Sequence, residues 1–509
     1  MKSLTRRILP ALVCFALVAG AAFAQDVTSF EKRITVKKLP NGLTLLIYER
    51  PEAPVFSFFT HVDVGSVQEV PGITGLAHMF EHMAFKGTDK IGTTNYAAEK
   101  MALARVEKAY AAYDTERRRP VGRDDKKVAE LEKTWKDAIS AADKFVVVNE
   151  FGDIIDREGG TGLNAFTRDD ETGYFYSLPA NRLELWMYLE SERFLHPVFR
   201  EFYKERDVVH EERRLRTDSQ PVGRLVEQFL AASFIAHPYQ RPIVGWDSDL
   251  NTFSATDAEQ FYKKYYVPSN MVVALVGDVK AKDALPIMEK YFGRLPAGPA
   301  PEPTRTIEPP QNAERVVTLH EAAQPFYLEG YHRPDSRDPD DAVYNAISDV
   351  LSKGRTSRLY KSLVRDKKIA VFAGGFNGFP GDKYPHLFAF VTVPSAGHTP
   401  QEVGDAIHTE LEKLKSEDVT DEELQSVKTR AKADLVRGLA DNQGLANQLG
   451  GAQARFGDWR ELFRSIDRIE KVTKADIRRV AGKTFLSTNR TVGMIESTKM
   501  AGAAPKGAQ

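Results

Sequence analysis

Within Gly75-Leu-Ala-His78-Met-Phe-Glu81-His82-Met-Ala-Phe-Lys-Gly-Thr88, two histidines stand four residues apart with a glutamate beside the second. On a helix, positions i and i+4 share a face, so His78 and His82 can grip one zinc ion. Glu81 borders that face. It suits a base acting on metal-activated water rather than a third ligand from the same turn. This is the inverted form of the His-Glu-x-x-His zinc helix. The spacing also arises by chance, and a lone helical histidine is usually a satisfied surface or core residue. The pair with its glutamate, in so apolar a helix, favours the metal.

The helix must be positioned for this to work. Thr74 is expected to cap its start and Gly87 to stop it. Leu76, Met79, Phe80, Met83 and Phe85 call for burial on more than one side. Catalytic zinc usually takes three protein ligands. Glu205, Val208, Glu212 and Leu215 fall at i, i+3, i+7 and i+10, a stripe expected to face the core. A buried carboxylate needs a metal, a cation or several donors. Glu212 is therefore assigned as the third ligand and Glu205 as its support two turns earlier. The competing reading is two surface glutamates on a misphased helix. Glu211 should point toward Arg213 and Arg214 in solvent, and His210 should lie on the surface.

The chain has 509 residues, 70 Lys+Arg against 71 Asp+Glu, and a single cysteine. Its near-zero charge points to neither nucleic acid nor an anionic membrane surface. Lys2, Arg6 and Arg7, an apolar run from Ile8 to Ala21, and Ala22-Phe23-Ala24 read as a cleavable secretory signal over residues 1–24. The expected location is periplasmic or secreted, with no membrane span. Cys14 lies inside the signal, so a mature chain would hold zinc by His and carboxylates alone.

Ile34 to Tyr48 reads as two strands about Pro40-Asn41-Gly42, and Val55 to Val64 as a third. Residues 95–150 read as an inserted helical hairpin broken at Pro120-Val-Gly122. A solvated arm packed on itself is preferred there to a partner site. A glycine-rich approach leads to Asn164-Ala165-Phe-Thr167, with Thr172 to Leu178 as its pairing strand. Helices are expected near 182–193, 201–216, 223–234, 256–266, 341–351, 400–414 and 421–439, and strands near 271–276, 316–319, 326–331, 369–376 and 387–393. Pro296 to Pro310 is the best linker candidate. Asp257 to Asn270 resembles Asp476 to Asn489, which suggests two copies, the second without metal. The expected fold is α+β: two homologous units, each a largely antiparallel sheet with helices on one face. The expected divisions are a zinc-binding domain over 25–295, a Pro-rich linker over 296–311, a degenerate repeat over 312–500 and a tail over 501–509.

With these motifs, and with Glu205-Arg-Asp-Val-Val-His-Glu-Glu212, His237-Pro-Tyr239 and Tyr266-Val-Pro-Ser-Asn270, the chain resembles the pitrilysin/insulysin family of inverted-motif zinc peptidases. The likeness is to the half-length, bacterial processing-peptidase-like form, and it covers most of residues 30–500. The resemblance implies one zinc on His78, His82 and Glu212, Glu81 as catalytic base, and Glu205 supporting the site. It implies that the strand with Asn164, Ala165 and Thr167 pairs with a peptide substrate, and that the chain is half of a peptidase clamshell. Two features depart from the family. The spacing from His82 to Glu212 is long, and the hairpin accounts for the excess. The Arg and Tyr that complete related sites are matched here by Arg365 and by Val371 or Phe372. A second peptidase-fold subunit is therefore expected to supply the missing half, in preference to a homodimer. The implied activity is zinc-dependent endopeptidase. The rival readings are a non-catalytic or partner-dependent subunit, and a periplasmic zinc- or peptide-binding protein.

Overall fold

The computed structural model describes residues 30–498. The expected signal segment 1–24 and tail 501–509 lie outside them. Eleven strands among these residues form two sheets. They are β1 Ile34–Lys38, β2 Thr44–Glu49, β3 Val55–Val62, β4 Thr161–Thr167, β5 Thr172–Pro179, β6 Met271–Gly277, β7 Arg315–Glu321, β8 Phe326–Arg333, β9 Ala370–Phe379, β10 His386–Pro394 and β11 Arg490–Ser497. The first sheet runs β1-β2-β6-β3-β5-β4 and the second β7-β11-β8-β10-β9. In each, only one pair is parallel, β2 with β6 and β7 with β11. Without β1, the two orders are the same.

The main helices of the first half are α1 Leu76–Met83, α2 Tyr96–Arg117, α3 Asp125–Ala142, α4 Glu150–Arg157, α5 Leu183–Leu195, α6 Phe202–Arg213, α7 Pro221–Ser233, α8 Ala255–Tyr265 and α9 Ala281–Phe292. Those of the second are α10 Asp341–Ser352, α11 Pro400–Ser416, α12 Asp421–Gly438, α13 Asn442–Phe456, α14 Glu461–Glu470 and α15 Lys474–Thr484. Residues 296–312 have no regular secondary structure. No helix among the described residues is long and apolar enough to cross a membrane.

The likeness between Asp257–Asn270 and Asp476–Asn489 is structural in detail. Ser254 with Asp257, and Thr473 with Asp476, cap α8 and α15 by the same reciprocal box. Asn270 then ties the carbonyls of Asp63 and Tyr265, and Asn489 those of His332 and Thr484. Each asparagine thus pins the end of a helix to the end of a central strand.

The central strands of both sheets are buried on both faces. Strand side chains alternate between faces. Leu45, Ile47, Val273 and Leu275 join the helices of the first half, whereas Leu46, Tyr48, Ala274 and Val276 pack on Leu445, Leu449, Trp459 and Phe463 of the second. The exchange is mutual. Leu225, Phe229 and Leu230 of α7 pack on Leu328, Leu387 and Ile495 of the second sheet. Close approach is built in: a side chain at Gly450 would meet Phe59 at 2.9 Å, and one at Gly493 would meet Phe229 at 3.2 Å. The helices on one face of each sheet are thus joined by a covering helix from the other half. The sequence reading assigns no element to α13, whose Asn-Gln-Gly-rich segment has weak helical propensity. Burial of Leu445, Ala446 and Leu449 against the first sheet makes it a helix.

The hairpin differs from the expected self-packed arm. Tyr110 of α2 and Trp135 of α3 pack on Tyr203 of α6, at ring separations of 4.6 and 5.1 Å. Tyr203 also donates to Glu107, and Arg206 donates to the Tyr110 hydroxyl and the Phe253 carbonyl. The hairpin therefore buttresses the back of α6.

Candidate metal centre and active site

Helix α1 is held by its surroundings more than by its own ends. Thr74 does not cap it. The N-cap position is Gly75, with a left-handed φ of 94°, and the Thr74 hydroxyl donates instead to Asp249. The Glu69 carboxylate does the capping, accepting from the N–H groups of Gly75 and Ala77 at 2.9 and 2.8 Å. Phe80 anchors the apolar side, stacked 5.8 Å from Phe261 and in edge contact with Phe199. Beyond the helix, Gly87 takes a φ of 90°, and a side chain there would strike the Ile91 carbonyl at 2.3 Å. Arg200, fully buried, donates to the carbonyls of Lys86, Thr88 and Ile91 and to Glu99, so it locks this turn to α2.

His78 and His82 stand one turn apart with ring centroids 4.9 Å apart. Across from them, Oε2 of Glu212 on α6 lies 3.6 Å from Nε2 of each ring. The three candidate donor atoms lie within 4.8 Å of one another. Zinc bonds of about 2.0–2.1 Å in tetrahedral array put donor atoms roughly 3.4 Å apart, so the donor set and its spacing suit that ion. The other oxygen of Glu212 is held by Arg216 at 2.5 Å, from a π-helical turn that continues α6 over Arg214–Asp218.

Glu205 supports the opposite side of His82, with Oε2 3.4 Å from Nδ1, and is itself held by Lys86 at 2.5 Å. The stripe that led to these glutamates does not face the core. Val208 and Leu215 are 48% and 53% exposed, and the buried side of α6 is formed by Phe202, Tyr203, Arg206 and Val209. The two carboxylates lie at the border of that side, where α1 passes. Glu211 pairs with Arg214 in solvent, and His210 sits by Asp247 at the half-exposed surface.

Electrostatics separate the two imidazoles. Burial and the neighbouring His82 push His78 down to about 4, so it is neutral at pH 7. Burial acts the same way on His82, but Glu205 and Glu212 outweigh it and push the ring up to about 9. Burial raises the Glu81 carboxyl above its usual range, while the Thr167 hydroxyl favours the charged form.

Thr167 lies on β4, which ends its sheet, so that no strand among the described residues pairs with its outer edge. Asn164 is exposed, Ala165 is buried, and their partners on β5 are Phe175 and Tyr174. The helix α1 lies against this edge strand. Arg365 is not part of the cluster. It is exposed in the second half, and its guanidinium rests on Asp366. Among the described residues, no hydrogen bond or ion pair joins the second half to His78, Glu81, His82 or Glu212. A cavity of about 1190 Å³ lies between the hairpin, the start of α6 and residues 296–302, and shares no residue with the cluster. Arg216 and Glu69 were missed in the sequence. Arg216 stands four residues after Glu212, a helical ion-pair spacing that could have found it. Nothing local marks Glu69.

The family model described as Insulinase (Peptidase family M16) matches residues 46–115, and that described as Peptidase M16 inactive domain matches residues 252–431. The first match contains His78, Glu81 and His82 and breaks off inside α2. Glu205 and Glu212 fall between the two. The zinc protease PqqE of Helicobacter pylori is 28% identical over 503 residues, 96% of this chain and 97% of its own. An uncharacterized zinc protease of Mycobacterium leprae is 24% identical, with 87% of each chain covered. The crystal structure of a protease from Helicobacter pylori superposes with a TM-score of 0.76 at 26% identity, over 91% of this chain and 99% of that one. The periplasmic protease PqqL of Escherichia coli shares the fold with a TM-score of 0.68 at 19% identity. The match covers 93% of this chain but 49% of PqqL, so this chain spans about half of that protein's length.

Proposed function

We propose that this chain, which belongs to the insulinase family of peptidases in a half-length form, is an exported zinc-dependent endopeptidase acting on peptides or unfolded polypeptide segments. The observation that carries this reading is the convergence of His78, His82 and Glu212, donor atoms within 4.8 Å, beside a glutamate on the same helix. His78, His82 and Glu212 would hold one zinc ion. When bound, zinc lowers the pKa of water and polarises a carbonyl oxygen.

The chain's own residues do the rest. Glu81 takes a proton from the attacking water at its carboxylate and returns it to the leaving amine nitrogen. Its raised pKa suits that shuttle. Glu205 holds Nδ1 of His82, which turns Nε2 toward Glu212. The outer edge of β4, with Asn164, Ala165 and Thr167, pairs with the substrate backbone. That mode suits an unfolded segment because main-chain bonds demand no particular sequence.

A cation and a hydroxyl for the developing oxyanion are supplied by a second peptidase-fold subunit facing this one. The half-length form and the solvent position of Arg365 support that reading. The units are assigned to residues 25–295 and 312–500, joined by 296–311, with 1–24 as the export signal. The test is cleavage of a quenched mixed-sequence peptide library by the mature chain, alone and with a co-expressed partner subunit, with a chelator and Glu81→Gln as controls. Chelator-sensitive turnover that Glu81→Gln abolishes is expected. Turnover that survives either control overturns the reading.

A further inference from the structure

The second half repeats the setting of the metal centre as well as the strand order. Helix α1 follows β3, packs on α6 and lies against the edge strand β4. Helix α10 follows β8, packs on α12 and lies against the edge strand β9. On α1, His78, Glu81 and His82 stand at i, i+3 and i+4; on α10, Asn345, Ser348 and Asp349 stand at the same spacing. On α6, Glu205 and Glu212 are seven apart, as are Val427 and Asp434 on α12. Ser348 donates to the Gly375 carbonyl of β9 at 3.3 Å, much as Glu81 meets Thr167 of β4.

This position in the second half is not a filled core. It is a cavity of about 420 Å³ between α10, α12, α14 and β9. Small-ligand pockets span about 300–1,000 Å³, so the volume admits a small molecule. A metal is not the occupant the chemistry favours. The cavity has no histidine. Both Asp349 oxygens are held by Arg430 Nε at 2.9 and 3.0 Å, and Asp434 is engaged by Lys353 and Arg437.

Charges of both signs stand in and around the cavity: Asp349 and Asp434 face Lys353, Arg430 and Arg437. That mixture suits a ligand that carries both signs. Two donors remain to be used. The Ser352 hydroxyl is buried without a partner, and the Lys353 ammonium, with three N–H groups, makes its one hydrogen bond among the described residues to Asp434. The facing wall is aliphatic, from Val427, Ile466 and Ile469.

We propose that this cavity binds a small aliphatic zwitterion, a free amino acid or dipeptide. Its carboxylate would meet Lys353 and Ser352, its ammonium Asp434, and its side chain the Val427–Ile466–Ile469 wall. Such molecules are the end products of peptide hydrolysis, so the physiological meaning rests on the peptidase reading. The binding itself does not.

The experiment is calorimetric titration of the mature chain with the dipeptide Leu-Leu at millimolar concentration, read without turnover. One-site binding is expected, with the N-acetylated, C-amidated form about 10-fold weaker or more. Lys353→Met, at the exposed rim, and Ala431→Leu, which fills the cavity, are each expected to weaken binding about 10-fold or more. His78→Ala should leave it unchanged. No heat with Leu-Leu, equal binding of the capped form, or binding lost in His78→Ala but kept in Lys353→Met would overturn the proposal. Because the titration needs no cleavage, a chain without peptidase activity can still pass it.

Discussion

The Nδ1 atom of His82 sits 3.4 Å from Oε2 of Glu205, while Nε2 of the same ring sits 3.6 Å from Oε2 of Glu212. One imidazole thus joins two carboxylates seven residues apart on α6, one positioned to orient the ring and one to share a cation with it. Lys86 beyond Glu205 and Arg216 beyond Glu212 complete a row of alternating charge. The row fixes α1 and α6 in register at the place where three donors converge.

Removing the orienting carboxylate should weaken metal binding without destroying the fold. Glu205→Ala is expected to lower zinc affinity about 10–100-fold, measured by competition with a chromogenic chelator. An unchanged affinity would show that Lys86 and α6 packing alone hold the ring.

Glu81 touches neither imidazole in the way Glu212 does. Glu81→Gln should keep a full zinc complement by elemental analysis while turnover falls about 10²–10⁴-fold. Loss of zinc in this variant would place Glu81 among the ligands instead.

The carboxylate of Glu69 is the cap of α1. Glu69→Ala leaves two N–H groups at a buried helix start without a partner, at a cost of about 1–3 kcal/mol. Urea unfolding of the two proteins checks this, and a difference near zero would return the capping role to Thr74 or water.

Arg200 and Glu99 are both buried, with Nε to Oε1 at 2.8 Å. Arg200→Met strands the Glu99 charge and frees the carbonyls of Lys86, Thr88 and Ile91. The expected loss is about 3–5 kcal/mol in the same unfolding experiment. The double variant with Glu99→Gln should recover part of it.

Glu171 lies 3.1 Å from His61 in the buried β4–β5 turn. Burial raises its carboxyl, but the contact with His61 outweighs it and holds the group at about 2, below its ordinary 4.5. The folded value is depressed, so the contribution is present above pH 4.5 and lost as pH falls toward 2. Wild type should lose about 3 kcal/mol more than Glu171→Gln between pH 5 and pH 2 in denaturant titrations. Parallel pH profiles would count against the pair.

The sequence made the site legible where its chemistry is local. His78, Glu81 and His82 can be read because a helix turns every 3.6 residues, so spacing alone predicts a shared face. The long hairpin and most strands were legible for the same reason, through periodicity and turn residues. Glu212 was found by an argument the structure does not support. Its stripe carries Val208 and Leu215 into solvent, and only the passage of α1 beside α6 brings the carboxylate to the histidines.

What the sequence determined by itself, then, is the zinc-type helix, the glutamate beside it, the hairpin and most of the strands. Tertiary structure alone decided three things. Glu69 caps α1 from an earlier turn, α7 and α13 each cover the other half's sheet, and α10 and α12 repeat the setting of α1 and α6 around a cavity without histidine. The reason is range. Helical spacing acts over a few residues, whereas these contacts join segments far apart in the chain, chosen by which apolar faces and buried charges can be satisfied together.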